Sequence, residues 1–191
     1  MTELLIQRGA QMAGPSDIYR RTLWRTWDPS KLSLGFIMLN PSTADGETDD
    51  QTIRVCMGRA QRMGYGGIKV SNLFMFRATF PIDLKKAADP IGPDWEQALL
   101  TAVTFPCGMT IAAWGDDGWN MDGGKTVTKV IEMVTQDYGR DLYALALTKA
   151  GQPKHPARLA YELQPFVWKE RRPERPYKPA FGHPVRSEGI R

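Results

Sequence analysis

The sequence predicts an α/β domain, in which helices cover both faces of a central, mostly parallel four-stranded sheet and a hairpin is added at the N-terminal side. Three observations carry this expectation. Apolar runs of strand length recur at 34–39, 68–74, 109–114 and 142–147. Stretches with helical spacing lie between them. Each run stops at a cluster of Gly, Pro, Asn, Asp or Thr. Strand–helix alternation of this kind brings each strand back parallel to the last, with the connecting helices on the sheet faces. A length of 191 residues suits one domain.

Taken in order, residues 1–16 close at Gly14-Pro15-Ser16 and read as a flexible arm. The segment IYRRTLWRTW (18–27) alternates crudely between polar and apolar residues. With LSLGFIML after Asp28-Pro29-Ser30 it predicts a hairpin leading into the sheet. The run 34–39 is continuously apolar, as a strand covered on both faces should be. Ile53, Val55, Cys56, Met57, Ala60 and Met63 are spaced for a helix ending near Gly64-Tyr65-Gly66-Gly67. A strand follows at 68–74. In RATFPIDLKKAADPIGPDWEQALLTAV, the first half reads as a long loop. The second half starts a helix after Pro93, with Asp94 and Glu96 at its positive end. After the strand 109–114 come Gly115, a loop DDGWNMDGG and a helix over 125–138. The strand 142–147 leads through TKAGQPKHP to a short helix over 157–164. The domain is therefore set at 17–168, with a Pro-rich basic tail at 169–191.

Composition narrows the classes. The hydrophobic fraction of 42% and six Trp supply a core, and no apolar run approaches the ~20 residues of a bilayer span. The first residues carry an early Glu and no long apolar stretch, unlike a secretory signal. Cys56 and Cys107 form no CxxC pair, so two reduced thiols and a cytoplasmic location are expected. The net charge of +4 belongs to the tail, since the other 168 residues sum to zero. Such a tail is either a solvated end or an added source of affinity for nucleic acid. No GxxxxGK[ST], GxGxxG or GxSxG is present, and no cofactor is expected. The acids Asp45, Glu47, Asp49 and Asp50 match no metal-loop spacing, so no metal is expected either.

In parallel α/β sheets, ligands sit outside the carboxyl ends of the strands. Here those ends carry NPSTAD (40–45), NLFMFRAT (72–79), WGDDG (114–118) and TKAGQPKHP (148–156). Asn40-Pro41-Ser42 suits either a turn with a helix cap or a site of chemistry. Asn72, at a strand end, must find partners if buried. His155 stands between Pro153 and Pro156, which restrict its backbone.

Two resemblances follow from these motifs. Over about 18–168, with MLNPSTAD, DDQTIRVC, GYGGIKVSNLF, RAT, DPIGPDW, AAWG and TKAGQPKHP, the chain resembles a bacterial and phage domain family of unknown function. More distantly, MLNPS, SNLFMFRAT, AAWG and KHPAR are similar, in order, to the motifs of the uracil-DNA glycosylase superfamily. That resemblance implies a glycosylase-like fold and an enzyme acting on the N-glycosidic bond or base of a flipped, modified nucleotide in DNA. It implies that Asn40 positions water and that His155 stabilises the departing base, with Asp50 or Asp45 available to activate water. It implies a pocket of Pro41, Ser42, Thr43, Asn72, Phe74, Arg77, Trp114, Gly115 and Lys154. Pro156, Arg158 and Leu159 would enter the duplex, while Arg171 and Arg172 would hold phosphates. The chain departs from the superfamily in having GETDDQT where a stacking aromatic is expected, and HPA in place of HPS. Two alternatives stand beside this one: a non-catalytic nucleic-acid-binding protein, and a nucleoside or nucleotide hydrolase using the acidic loop.

Overall fold

In the computed structural model, which describes residues 6–42 and 44–172, one seven-stranded mixed sheet organises the chain. Its strands are β1 (Gln7–Ala13), β2 (Tyr19–Thr26), β3 (Ser33–Met38), β4 (Gly67–Asn72), β5 (Cys107–Ala113), β6 (Leu142–Ala144) and β7 (Phe166–Lys169). Their spatial order is β1-β2-β4-β3-β5-β6-β7. The central pairs β4–β3, β3–β5 and β5–β6 run parallel, and the outer pairs run antiparallel. Every residue of β3 is buried, as a central strand covered on both faces requires.

The helices are α1 (Gln51–Arg62), α2 (Pro81–Lys86), α3 (Trp95–Leu100), α4 (Gly115–Asn120) and α5 (Lys125–Glu132), the last continued by a π-helical stretch over Met133–Asp137. On one face, Ile53, Cys56, Met57 and Ala60 of α1 pack with Phe36, Met38, Ile68 and Val70. On the other, Trp95 and Leu99 of α3 and Val127 and Val130 of α5 pack with Ile37, Ala112 and Leu142. The period-2 alternation of Phe36 and Met38 against Ile37 feeds the two cores from one strand.

Several expectations are corrected. Residues 7–13 are not part of a loose arm; they form the edge strand β1, paired with β2. The expected hairpin between 18–27 and 32–39 does not form, because β4 enters between those strands. The backbone N–H groups of Trp27 and Asp28 both donate to Gly66 O, 2.9 Å in each case, at the entry to β4. A side chain at Gly66 would lie 2.0 Å from Asp28 O, so the insertion depends on glycine there. Alternation reveals strands, but their neighbours are a tertiary matter. The sheet therefore has seven strands rather than four. The expected helix over 157–164 shrinks to a 3-10 turn, Pro156–Arg158. The Arg59 guanidinium of α1 takes the Leu159 and Ala160 carbonyls, at 2.6 and 3.0 Å, and pulls the chain away from helical bonding. The regions 81–86 and 115–120, expected as loops, contain α2 and α4.

Candidate functional site at the carboxyl ends of the parallel strands

The acidic loop after β3 is neutralised from β2. A bulge at Arg21, where Gln11 faces Thr22 but Met12 faces Arg20, turns Arg20 onto the same sheet face as Leu23 and Arg25. Arg25 is 0% exposed. Its Nε donates to Asp49 Oδ1 at 2.7 Å, and its other N–H groups reach the carbonyls of Gly9, Trp24, Asp45 and Thr48. All five guanidinium donors are thus satisfied. Arg8 adds a second ion pair to Asp49 at 3.3 Å. Asp45 folds the loop by accepting from the Glu47 and Thr48 N–H groups, and these bonds hold its carboxyl below the usual range. Asp50 caps α1 by accepting from Ile53 N at 2.9 Å. Asp45 is therefore a turn-former through Oδ1. Asp50 uses one oxygen for the cap.

Arg20 is the second buried arginine. Its Nη1 donates to Ala44 O at 2.8 Å, its Nη2 reaches Asn72 Oδ1 at 3.4 Å, and its Nε has no partner among the described residues. Desolvation lowers its pKa to about 10, with Asp50 as the main opposing charge. Asn72 is 2% exposed and its Oδ1 accepts from Arg20, so little of its side chain is open to a ligand. Asn40 is half-buried. Its Nδ2 donates to Pro41 O at 2.9 Å and Ala78 O at 2.7 Å, locking the turn after β3 to the segment after β4. Pro41 is buried in that turn and Ser42 is half-buried beside it. Thr43 lies outside the described residues. Arg77 is half-buried and donates to Asp17 O at 3.4 Å.

His155 is exposed at the start of the Pro156–Arg158 turn. Its Nδ1 accepts from Ala157 N at 3.4 Å, which in the neutral ring leaves the proton on Nε2. Partial desolvation lowers its pKa; Asp50 opposes that shift and Arg158 adds to it. Asp50 thus lies within electrostatic reach of both His155 and Arg20.

Other expected contacts are not made. Phe74 is 1% exposed and Trp114 2% exposed, and both belong to the core. Pro156 is buried, and Leu159 packs on the α1 core, so neither stands ready to enter a duplex. Arg158 and Lys154 are exposed. Arg171 and Arg172 follow β7, beside the start of β6, where their N–H groups bond Asp141 Oδ1 and Thr135 O. They occupy the amino-terminal edge of the parallel strands, opposite the candidate site. The tail beyond residue 172 lies outside the described residues.

A separate cleft of about 400 Å³ opens at the ends of β5 and β6, between Asp116, Trp119, Asn120, Ala150 and Gln152. Gly115 borders it, its N–H donating to Pro153 O at 2.8 Å. Trp119 was overlooked in the sequence because DDGWNMDGG reads as a loop. Arg25 carried a readable signal: its spacing puts it in phase with the apolar Leu23 and Trp27. Among the described residues, no group of three or more His, Cys, Asp or Glu is placed to hold a metal, and no helix is long and apolar enough to cross a membrane.

A family model described as "Protein of unknown function (DUF1643)" matches residues 20–157. The chain belongs to this family. The match to DUF1643 begins at Arg20 and ends at Ala157, and so spans β2, the capped loop, the cleft and His155. No curated protein and no solved structure matches the chain.

Proposed function

We propose that this DUF1643 protein is a DNA glycosylase-like hydrolase that cleaves the N-glycosidic bond of a modified nucleotide, on a fold of the uracil-DNA glycosylase type. The observation that supports it is the placement of His155 and the α1 cap Asp50 at the strand ends, within electrostatic reach of each other. A neutral His155 with Nδ1 engaged offers an Nε2–H donor. That donor suits a base carbonyl oxygen as the C1′–N bond breaks and its electrons move onto the base. Asp50, with one oxygen in the α1 cap, has a second to take the proton of a water attacking C1′. The new C1′–O bond leaves an abasic sugar, and the released base takes a proton from solvent. Asn40, its Nδ2 locked, offers Oδ1 to that water.

A binding-only reading is favoured by one observation: Asn72 is 2% exposed with its Oδ1 on Arg20, which leaves little of its amide for a base. One assay separates the two. Duplex oligonucleotides carrying uracil, hydroxymethyluracil or other altered bases are incubated with stoichiometric protein and then treated with alkali. Strand breaks that disappear in His155→Ala support the hydrolase. No break with any altered base sinks it.

A further inference from the structure

We infer that the cleft at the ends of β5 and β6 is a nucleobase-binding site, in which a planar base bearing an N–H next to a carbonyl stacks on Trp119 and is read by Asp116 and Gln152. This goes beyond the proposed hydrolysis and does not depend on it.

The stacking platform is built. Trp119 is 44% exposed in a chain whose Trp114 and Trp95 are 2% and 6% exposed. A side-chain carbon placed on Gly124 would meet three atoms of the Trp119 six-membered ring at 2.6–2.7 Å. The Gly124 backbone therefore lies against one face of the indole, and Gly124 N donates to Trp119 O at 2.9 Å. One face is held and much of the ring stays open. An aromatic fixed in this way offers stacking area at little ordering cost.

The polar walls are fixed in the same manner, each by one atom with another left over. The Trp114 indole N–H can only donate, so the Gln152 oxygen faces it, at 3.1 Å. Gln152 Nε2 is thereby set as the free donor. The Thr148 hydroxyl donates to Asp116 Oδ1 at 2.5 Å and accepts from Gln152 N at 3.2 Å. Asp116 Oδ2 is thereby the free acceptor. A free amide N–H₂ beside a free carboxylate oxygen complements a carbonyl beside an N–H. Guanine, uracil and thymine present that edge, whereas adenine presents no carbonyl. The volume of about 400 Å³ falls in the range of small-molecule sites.

The test is equilibrium binding by calorimetry, with GMP, TMP and AMP as probes and the six-nucleotide strand d(T)6 as a fourth. Binding is read directly, so failure of the hydrolase reading leaves this one standing, and the reverse. GMP and TMP are expected to bind at least tenfold tighter than AMP. Trp119→Ala is expected to lose tenfold or more, in line with the loss of one stacked base. Gln152→Glu keeps an acceptor for Trp114 while removing the donor. It is expected to lose a similar factor, which covers the case of a misfolded Trp119→Ala. A salt-sensitive gain for d(T)6 over TMP supports the site and identifies a strand as its source; equal affinity supports it and identifies the free nucleotide. AMP binding as tightly as GMP overturns the edge-reading, and unchanged GMP affinity in both variants overturns the site.

Discussion

The two halves of the strand-end edge are both polar and are organised differently. At β3 and β4 most polar groups are engaged: Arg25 uses all five donors, three of them on the acidic loop, and Asn72 Oδ1 accepts from Arg20. At β5 and β6 each polar group is fixed by one atom with another left over, as in Gln152 and Asp116. The first arrangement makes a closed, rigid wall and the second an open cleft. Polar residues at strand ends therefore divide by the use of their second atoms, a property of packing rather than of residue type.

The largest effect is expected on the closed side. Arg25→Met leaves Asp49 with the exposed Arg8 alone and strips donors from the Asp45 and Thr48 carbonyls. Breaking a buried pair from one side costs about 3–5 kcal/mol. Urea unfolding should show that loss, and the double variant Arg25→Met/Asp49→Leu should recover part of it. A loss below about 1 kcal/mol would mean that the loop does not depend on this arginine.

This network also explains how far the fold and site were legible. The parallel strands and α1 were readable because apolar period and helical spacing are local. The insertion of β4 between β2 and β3 was not, because it rests on Gly66 meeting Asp28 across the sheet. The sequence marked all four strand tips, yet the acids looked like chemistry. The loop's partners, Arg20 for the Ala44 carbonyl and Arg25 for Asp49, each sit 24 residues away on β2. A bulge, invisible in the residue pattern, sets their common face. Trp119 was hidden for a related reason: a Gly- and Asp-rich stretch folded into α4.

Asp50 is where the two halves of the comparison meet, since it is structural through its cap and near His155 through its charge. Asp50→Ala should cost about 1 kcal/mol of stability through the lost cap. Asp50→Ser restores a cap oxygen and should recover most of that cost without restoring the charge. If Asp50 takes the proton of water, both variants lose strand cleavage while only the first loses stability. Cleavage retained in Asp50→Ser would remove Asp50 from the chemistry. On the open side, Gln152→Glu should lower the unfolding free energy by no more than about 1 kcal/mol, because the Trp114 bond survives and the cost is the repulsion of the Asp116 carboxylate in an open cleft. A larger loss would place the cleft among the closed, structural networks.

The smallest expected effect is the dependence of stability on pH through His155. Its folded pKa lies below the ordinary value, chiefly through desolvation. Below about pH 6.5 the unfolded chain therefore binds the proton first. The stabilisation that a neutral His155 contributes is present above the unfolded value and fades as pH falls toward the folded one. His155→Gln should flatten that part of the pH–stability curve and leave the carboxylate-driven loss at lower pH in place. The same ring can be followed alone, because the chain has only two histidines. One imidazole resonance should titrate below about 6.5 and vanish in His155→Gln. In Asp50→Ser its midpoint should fall further, since Asp50 is the charge that raises it. A midpoint that ignores Asp50 would separate the α1 cap from His155 and leave the hydrolase reading without its base.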